Sequence, residues 1–339
     1  MKDWWLIPVV AVFSFALTAF LRRYALSRSL IDIPNQRSSH TIPTPRGGGV
    51  AIVLTFLCGL SVLFYQGQTT VTALIALAGA GGITAVIGFL DDHGHIAARW
   101  RLLAHFLAAG WGVYWIGGLP PLMVGGISIE LSWFGHLLAL VYLVWMLNLY
   151  NFMDGIDGIA GVEAVTICAG ACLIYWLGGI SEMAWLPGLL AICAAGFLCW
   201  NFPPAKIFMG DAGSGFLGII LGLLALQAAW IDPGLIWVWL ILLGVFIVDS
   251  TFTLMRRLLR GDRIYEAHRS HAYQFASRKF GKHLPVTSMV GVINVLWLLP
   301  IALCVNRFKV DGALALVIAY LPLIWLAVKF RAGELEEIR

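Results

Sequence analysis

Asn201-Phe-Pro-Pro-Ala-Lys-Ile-Phe-Met-Gly-Asp-Ala-Gly-Ser-Gly215 separates two long apolar segments, and its Asp211 is the only acid between Glu182 and Asp232. Pro203 and Pro204 end the helix before it, since proline lacks the amide hydrogen and clashes with the preceding turn. Gly210, Gly213 and Gly215 tolerate positive φ and let a ligand come close to the backbone. A carboxylate among glycines, just ahead of a new helix, suits a hard cation carrying a phosphate. A polar hinge between two membrane spans would read the same way.

The segments on either side belong to a long series. The chain has 339 residues, 60% hydrophobic and 12% charged. A soluble domain cannot hide that much apolar surface, so the composition indicates an all-α polytopic membrane protein in one domain, 1–339. A span needs roughly 20 mostly apolar residues. Eleven segments qualify, at about 4–21, 48–66, 71–90, 102–118, 132–150, 158–178, 184–201, 213–230, 234–255, 285–305 and 311–329. The first lacks a small-residue cleavage site before Arg22 and reads as a retained span.

With the N-terminus outside, loops 22–47, 91–101, 151–157, 201–212 and 256–284 and the tail, counted from Lys329, share one side and hold 19 of the 22 Lys and Arg residues. That bias makes this side cytoplasmic. The net charge of +4 is then a signal of orientation and anionic lipid, not of nucleic acid. The six cysteines fall in the spans without metal-type or redox-type spacing, which implies no disulfide framework.

The chemistry-bearing residues cluster on the cytoplasmic loops. In the first, His40 and Arg46 flank Pro43 and Pro45 and precede Gly47-Gly48-Gly49; they are candidate phosphate or nucleotide contacts, or parts of a topogenic basic turn. Asp91 and Asp92 end the third span about 100° apart on a helix, so both can face one cavity as a proton acceptor with a metal or basic partner, or lie on a solvated helix end. Asn151, Asp154 and Asp157 would share a face at helical spacing and suit a nucleoside, a sugar or a hydrated magnesium ion; calcium-loop ligand spacing is absent. Asp249 lies inside the ninth span, either functional or paired with a nearby arginine.

The longest loop carries His268 and His271, three apart, with Arg269 between them. These could hold a diphosphate, or belong to a basic amphipathic helix on anionic lipid. Residues 118–131 alternate around Gly125-Gly126 as a short external β-hairpin, and the C-terminal tail reads as a solvated end. Ionisable groups at one membrane edge, with only Asp249 deeper, suit an enzyme joining a water-soluble donor to a lipid-borne acceptor better than a carrier for nucleotide sugar or lipid phosphate.

Asp91-Asp92, then Asn151-Phe-Met-Asp154-Gly-Ile-Asp157-Gly, then Asn201 through Phe208-Met-Gly-Asp211, then the His268/His271 loop come in the order seen in the polyprenyl-phosphate N-acetylhexosamine-1-phosphate transferases. The chain resembles that superfamily, which includes MraY and WecA, over nearly its whole length. Its Pro-Thr-Pro-Arg-Gly-Gly-Gly entry to the second span and its span count look more like the WecA side and the enzymes that begin O-antigen units.

The resemblance implies transfer of N-acetylhexosamine-1-phosphate from a UDP-sugar to undecaprenyl phosphate, with release of UMP, at the cytoplasmic face of a bacterial inner membrane. It implies Mg²⁺, with Mn²⁺ as a substitute, held by Asp211. Asp91 would deprotonate or orient the lipid phosphate, and Asp92 would support the metal or acceptor site. Asn151, Asp154, Asn201 and Phe208 match the uridine pocket, Phe208 stacking on uracil. Asp157 would lie near sugar or nucleoside, and His268, Arg269 and His271 near the diphosphate. Where relatives run histidines together this chain has His268-Arg269-Ser270-His271, so either one contact is absent or Arg269 supplies it. UDP-GlcNAc is the default donor, with a 6-deoxy sugar as the alternative, and a homodimer is the implied assembly.

Overall fold

The computed structural model describes residues 5–34, 42–94, 96–262 and 268–335, so His40 lies outside the described residues. The chain begins with α1 (Leu6–Ser27), β1 (Ile31–Asp32), β2 (Thr44–Pro45), α2 (Gly49–Tyr65), α3 (Val71–His93) and α4 (Ala98–Ile116). A hairpin of β3 (Leu122–Val124) and β4 (Ile127–Ile129) leads into α5 (Ser132–Met153), α6 (Ile159–Leu177) and α7 (Trp185–Asn201). Then come α8 (Asp211–Ile231), α9 (Gly234–Leu242), α10 (Gly244–Arg260), α11 (Ala272–Phe280), α12 (Leu284–Ile293), α13 (Leu299–Phe308) and α14 (Gly312–Lys329). Among the described residues eight helical segments are long and apolar enough to cross a membrane, or nine if α9 and α10 count as one. The 17-residue α2 is shorter, and α4, which carries Arg99 and Arg101, is not among the eight.

The apolar run 234–255 is one segment in the sequence but two helices in space, bent by 73° at Leu243. Unbroken hydropathy hides such a bend.

The centre of the fold is α8. Every residue from Ala212 to Leu226 is buried, as expected of a helix apolar on all sides. It packs against α2, α3 and α5. Glycines permit the close approach that helices in an apolar bundle use. A Cβ on Gly49 would lie 2.5 Å from the Gly213 Cα, one on Gly88 2.6 Å from the Ala212 nitrogen, and one on Gly218 2.6 Å from the Met146 carbonyl. Gly213 is therefore a helix-packing residue rather than an opening for ligand. As a result the segment before α2 and the ends of α3 and α5 all meet at the first turn of α8.

Backbone pairing fixes the same corner. Strands β1 and β2 pair antiparallel, Ile31 opposite Pro45 and Asp32 opposite Thr44. The Phe208 amide donates to the Pro45 carbonyl at 2.8 Å, and the Gly48 and Gly49 amides donate to Phe208 and Met209 at 2.9 Å. At the opposite end β3 and β4 pair around Gly125 and Gly126, both at positive φ. Asp311 accepts the Gly125 amide at 2.6 Å and so ties that hairpin to α14.

The tail is not a free solvated end as far as residue 335. The Gly333 amide donates to Ser270, and Arg256 and Arg260 on α10 donate to the carbonyls of Ala332 and Gly333.

Candidate active site

A cavity of about 240 Å³ opens at the first turn of α8, lined by Arg46, Asn151, Asp154, Asp157, Asn201, Phe208 and Asp211 among others. The sequence singles out all seven, from three stretches far apart in the chain. Asn151 stands in the last turn of α5 and donates to Ser214 at 3.2 Å. The helix stops at Met153, so Asn151, Asp154 and Asp157 do not share a helical face. Gly155 follows Asp154, and Gly158, at φ 74°, opens α6. The three reach one cavity by a tight turn instead. Asn201 is buried and stitches two loops together, accepting the Gly158 amide at 3.0 Å and donating to the Ile207 carbonyl at 2.9 Å.

Asp91 and Asp92 lie on the last turn of α3, and their angular separation sends them to different partners. Asp92, with a side chain 3% exposed, accepts the amides of Asp211 and Ala212 and caps α8; it also pairs with the Arg46 guanidinium at 2.6 Å. Asp91 accepts the Ile96 amide and pairs with Arg101 at 2.5 Å. The same Arg46 nitrogen reaches Asp211 at 3.0 Å, and Arg101 lies 3.9 Å from the other Asp211 oxygen. Two guanidiniums thus link three carboxylates around the head of α8.

Beside them, burial pushes the Asp154 carboxyl well above its usual range, and the neighbouring Asp211, Asp92 and Asp157 charges add to the shift. Among the described residues, the ion pairs at this corner set two guanidiniums against three carboxylates, with Asp154 beside them.

His268 and His271 are not among the cavity's lining residues. Their rings stack with centroids 4.9 Å apart, and His271 is buried against Phe152, 6.4 Å between centroids. The His271 Nδ1 lies 3.3 Å from Asp249, whose carboxylate also accepts the Ala272 and Tyr273 amides. Asp249 therefore holds the start of α11 and does not pair with a nearby arginine in that role. The Arg269 carbonyl accepts from Arg278, and the Tyr273 hydroxyl donates to the Phe152 carbonyl, bringing α11 against the 151–157 turn.

A family model for glycosyl transferase family 4 matches residues 73–229. The chain is 30% identical over 288 residues to a probable undecaprenyl-phosphate N-acetylglucosaminyl 1-phosphate transferase of Bacillus subtilis, covering 80% of this chain and 78% of that one. It is 29% identical to an undecaprenyl-phosphate alpha-N-acetylglucosaminyl 1-phosphate transferase of Thermotoga maritima, covering 80% and 81%. It is also 30% identical to a phospho-N-acetylmuramoyl-pentapeptide-transferase of Streptococcus thermophilus, covering 74% and 72%. The chain belongs to glycosyl transferase family 4, the polyprenyl-phosphate hexosamine-1-phosphate transferase superfamily.

In this family 4 chain the cavity also takes Asp32, Ser214, Gln274 and His283, which sequence reasoning missed. None had a local signal. Ser214 adjoined a motif already read, but the other three reach the site through β1, α11 and the start of α12.

The donor set suits a hard divalent cation. It is built of carboxylate oxygens: Asp92 and Asp211 pair with Arg46, Asp91 pairs with Arg101, and Asp154 and Asp211 line the cavity. Among the described residues no three His, Cys, Asp or Glu side chains are grouped closely enough to hold a metal ion by themselves. An ion here would complete its shell with phosphate oxygens and water, which is how magnesium usually binds.

Proposed function

We propose that the chain transfers N-acetylhexosamine-1-phosphate from a UDP-sugar to undecaprenyl phosphate, releases UMP, and so makes the lipid-diphosphate-sugar that begins an O-antigen or related surface polysaccharide. It would do so as an eleven-span protein of a bacterial inner membrane, its N-terminus outside and its site at the cytoplasmic face. The observation that carries this reading is the meeting of Arg46, Asn151, Asp154, Phe208 and Asp211 in one cavity at the head of a buried helix. The named relatives support the reaction class.

The reaction is a phosphoryl transfer, in which positioning and charge neutralisation supply most of the rate. A phosphate monoester already ionises near pH 6–7, so strict base catalysis is not needed. Asp91, steadied by Arg101, orients the acceptor phosphate. Arg46 and Arg101 lie within reach of a diphosphate and can exchange their Asp211 contacts for its oxygens. Asn151 and Phe208 offer an amide and an aromatic face to the nucleoside. Mg²⁺ bound at Asp211 would neutralise charge developing on the diphosphate.

Purified protein with Mg²⁺, undecaprenyl phosphate and UDP-GlcNAc, or a panel of UDP-sugars, is expected to release UMP and yield a lipid product whose mass gives the sugar. Asp211→Asn should reduce release by on the order of 100-fold or more while the protein still inserts. Full activity of that variant would remove the metal assignment.

A further inference from the structure

The 240 Å³ cavity is smaller than the roughly 300–1,000 Å³ of sites that bury a ligand of nucleotide size. Next to it lies a second space of about 510 Å³, bordered by Ile42, Pro204, Arg278, Lys282 and Leu284. Three residues line both: Asp157, Phe208 and His283. A nucleotide sugar held at Asp211 must extend past that junction.

The junction is tightly built. The His283 Nδ1 lies 3.1 Å from one Asp157 carboxylate oxygen, and the Ala205 amide donates to the other at 3.0 Å. One turn along α12, the Thr287 hydroxyl donates to the Asp157 carbonyl at 2.7 Å. His283 and Thr287 share a helix face, so the first turn of α12 grips Asp157 by side chain and backbone together. The Asp157 amide also donates to the His283 Nδ1 at 3.3 Å; the two residues are 126 apart in the chain, and no short motif shows the contact.

We propose that His283 is a positioning residue of the donor site, acting through Asp157 to hold that carboxylate at the junction of the two cavities where the nucleotide sugar crosses. The inference rests on the transferase reading above. His283 bonds no reacting atom; it fixes which way Asp157 points, and so tunes donor affinity more than turnover.

The test compares wild type with His283→Ala, His283→Asn, Asp157→Ala and the His283→Ala/Asp157→Ala double variant, by KM and kcat for UDP-GlcNAc and by calorimetric binding of UMP. Asparagine offers both a donor and an acceptor near the place of Nδ1, which takes the Asp157 amide and lies beside its carboxylate. Loss of the His283 contacts to the Asp157 amide and carboxylate predicts about a tenfold or greater rise in donor KM for His283→Ala, with kcat changed less than about threefold. His283→Asn should recover KM to within about threefold, and the double variant should be no worse than Asp157→Ala. Wild-type KM in His283→Ala, or additive losses in the double variant, would overturn the proposal. So would a His283→Ala defect confined to the amount of folded protein. An active wild type with those results leaves the transferase reading standing. If wild type binds UMP but releases none, UMP affinity decides the His283 question alone. A wild type that neither releases nor binds UMP overturns the functional reading and this inference with it.

Discussion

The Asp92 carboxylate accepts the backbone amide of Asp211 at 3.0 Å, so the end of α3 is tied to the first residue of the buried helix α8. One of two adjacent acids thus serves as a helix cap for the other helix's functional residue. Removing the cap should be felt as stability. Asp92→Ala is expected to cost about 1–2 kcal/mol, and Asp92→Asn, which keeps an acceptor, less than that. Unfolding titrations in detergent measure both. Equal stability of wild type and Asp92→Ala would show that the cap contributes nothing.

Arg46 spans Asp92 at 2.6 Å and Asp211 at 3.0 Å with a single guanidinium nitrogen, and its side chain lines the cavity. Lysine offers a point charge on a flexible stem in place of a rigid fork. Arg46→Lys should therefore lose on the order of tenfold in UMP release, and Arg46→Ala on the order of 100-fold. Steady-state release at saturating acceptor reads both. Lysine performing as well as arginine would argue against bidentate use of this side chain.

Much of this corner could be read from the sequence because its residues sit at breaks in hydropathy. Arg46, Asn151, Asp154, Asp157, Asn201, Phe208 and Asp211 each stand where an apolar run stops, and the fold collects the run ends. What stayed hidden is long-range or conformational. The 73° bend at Leu243 lies inside an unbroken apolar run. The Asn151–Asp157 stretch has helical spacing, yet it leaves the helix after Met153. His283 and Gln274 arrive from α12 and α11, more than 100 residues from the turn they face. The role of Asp249 depends on which backbone amides land beside it, and a side-chain pattern does not encode that.

The glycines around α8 separate cleanly into two kinds. A Cβ on Gly49 would meet the Gly213 Cα at 2.5 Å, whereas one on Gly82, within α3, would meet nothing within 4 Å. Gly49→Ala forces backbone against backbone and is expected to cost about 1–3 kcal/mol. Gly82→Ala removes unfolded-state freedom at no steric cost and should be neutral or stabilise by about 0.5–1 kcal/mol. Thermal unfolding of the two variants side by side checks the contrast. A Gly49→Ala protein as stable as Gly82→Ala would mean that α2 and α8 are not held at this separation.

Asp249 is an acid deep in a helix, and its neighbours say what it does. Its carboxylate takes the Ala272 amide at 2.9 Å, the Tyr273 amide at 3.0 Å and the Thr253 hydroxyl at 3.2 Å. Asp249→Ala would strand two buried amides, at about 1–3 kcal/mol each. The start of α11 would loosen, and with it the Tyr273 contact to Phe152 beside the 151–157 turn. Activity should then fall in step with stability. Asp249→Asn keeps a carbonyl acceptor and the side chain's shape but cannot carry a negative charge. If the acid serves only to hold α11, asparagine should keep most of the activity, within about tenfold of wild type, where alanine loses more. If asparagine and alanine lose activity alike while asparagine alone stays folded, the charge itself is needed and the structural account of Asp249 fails.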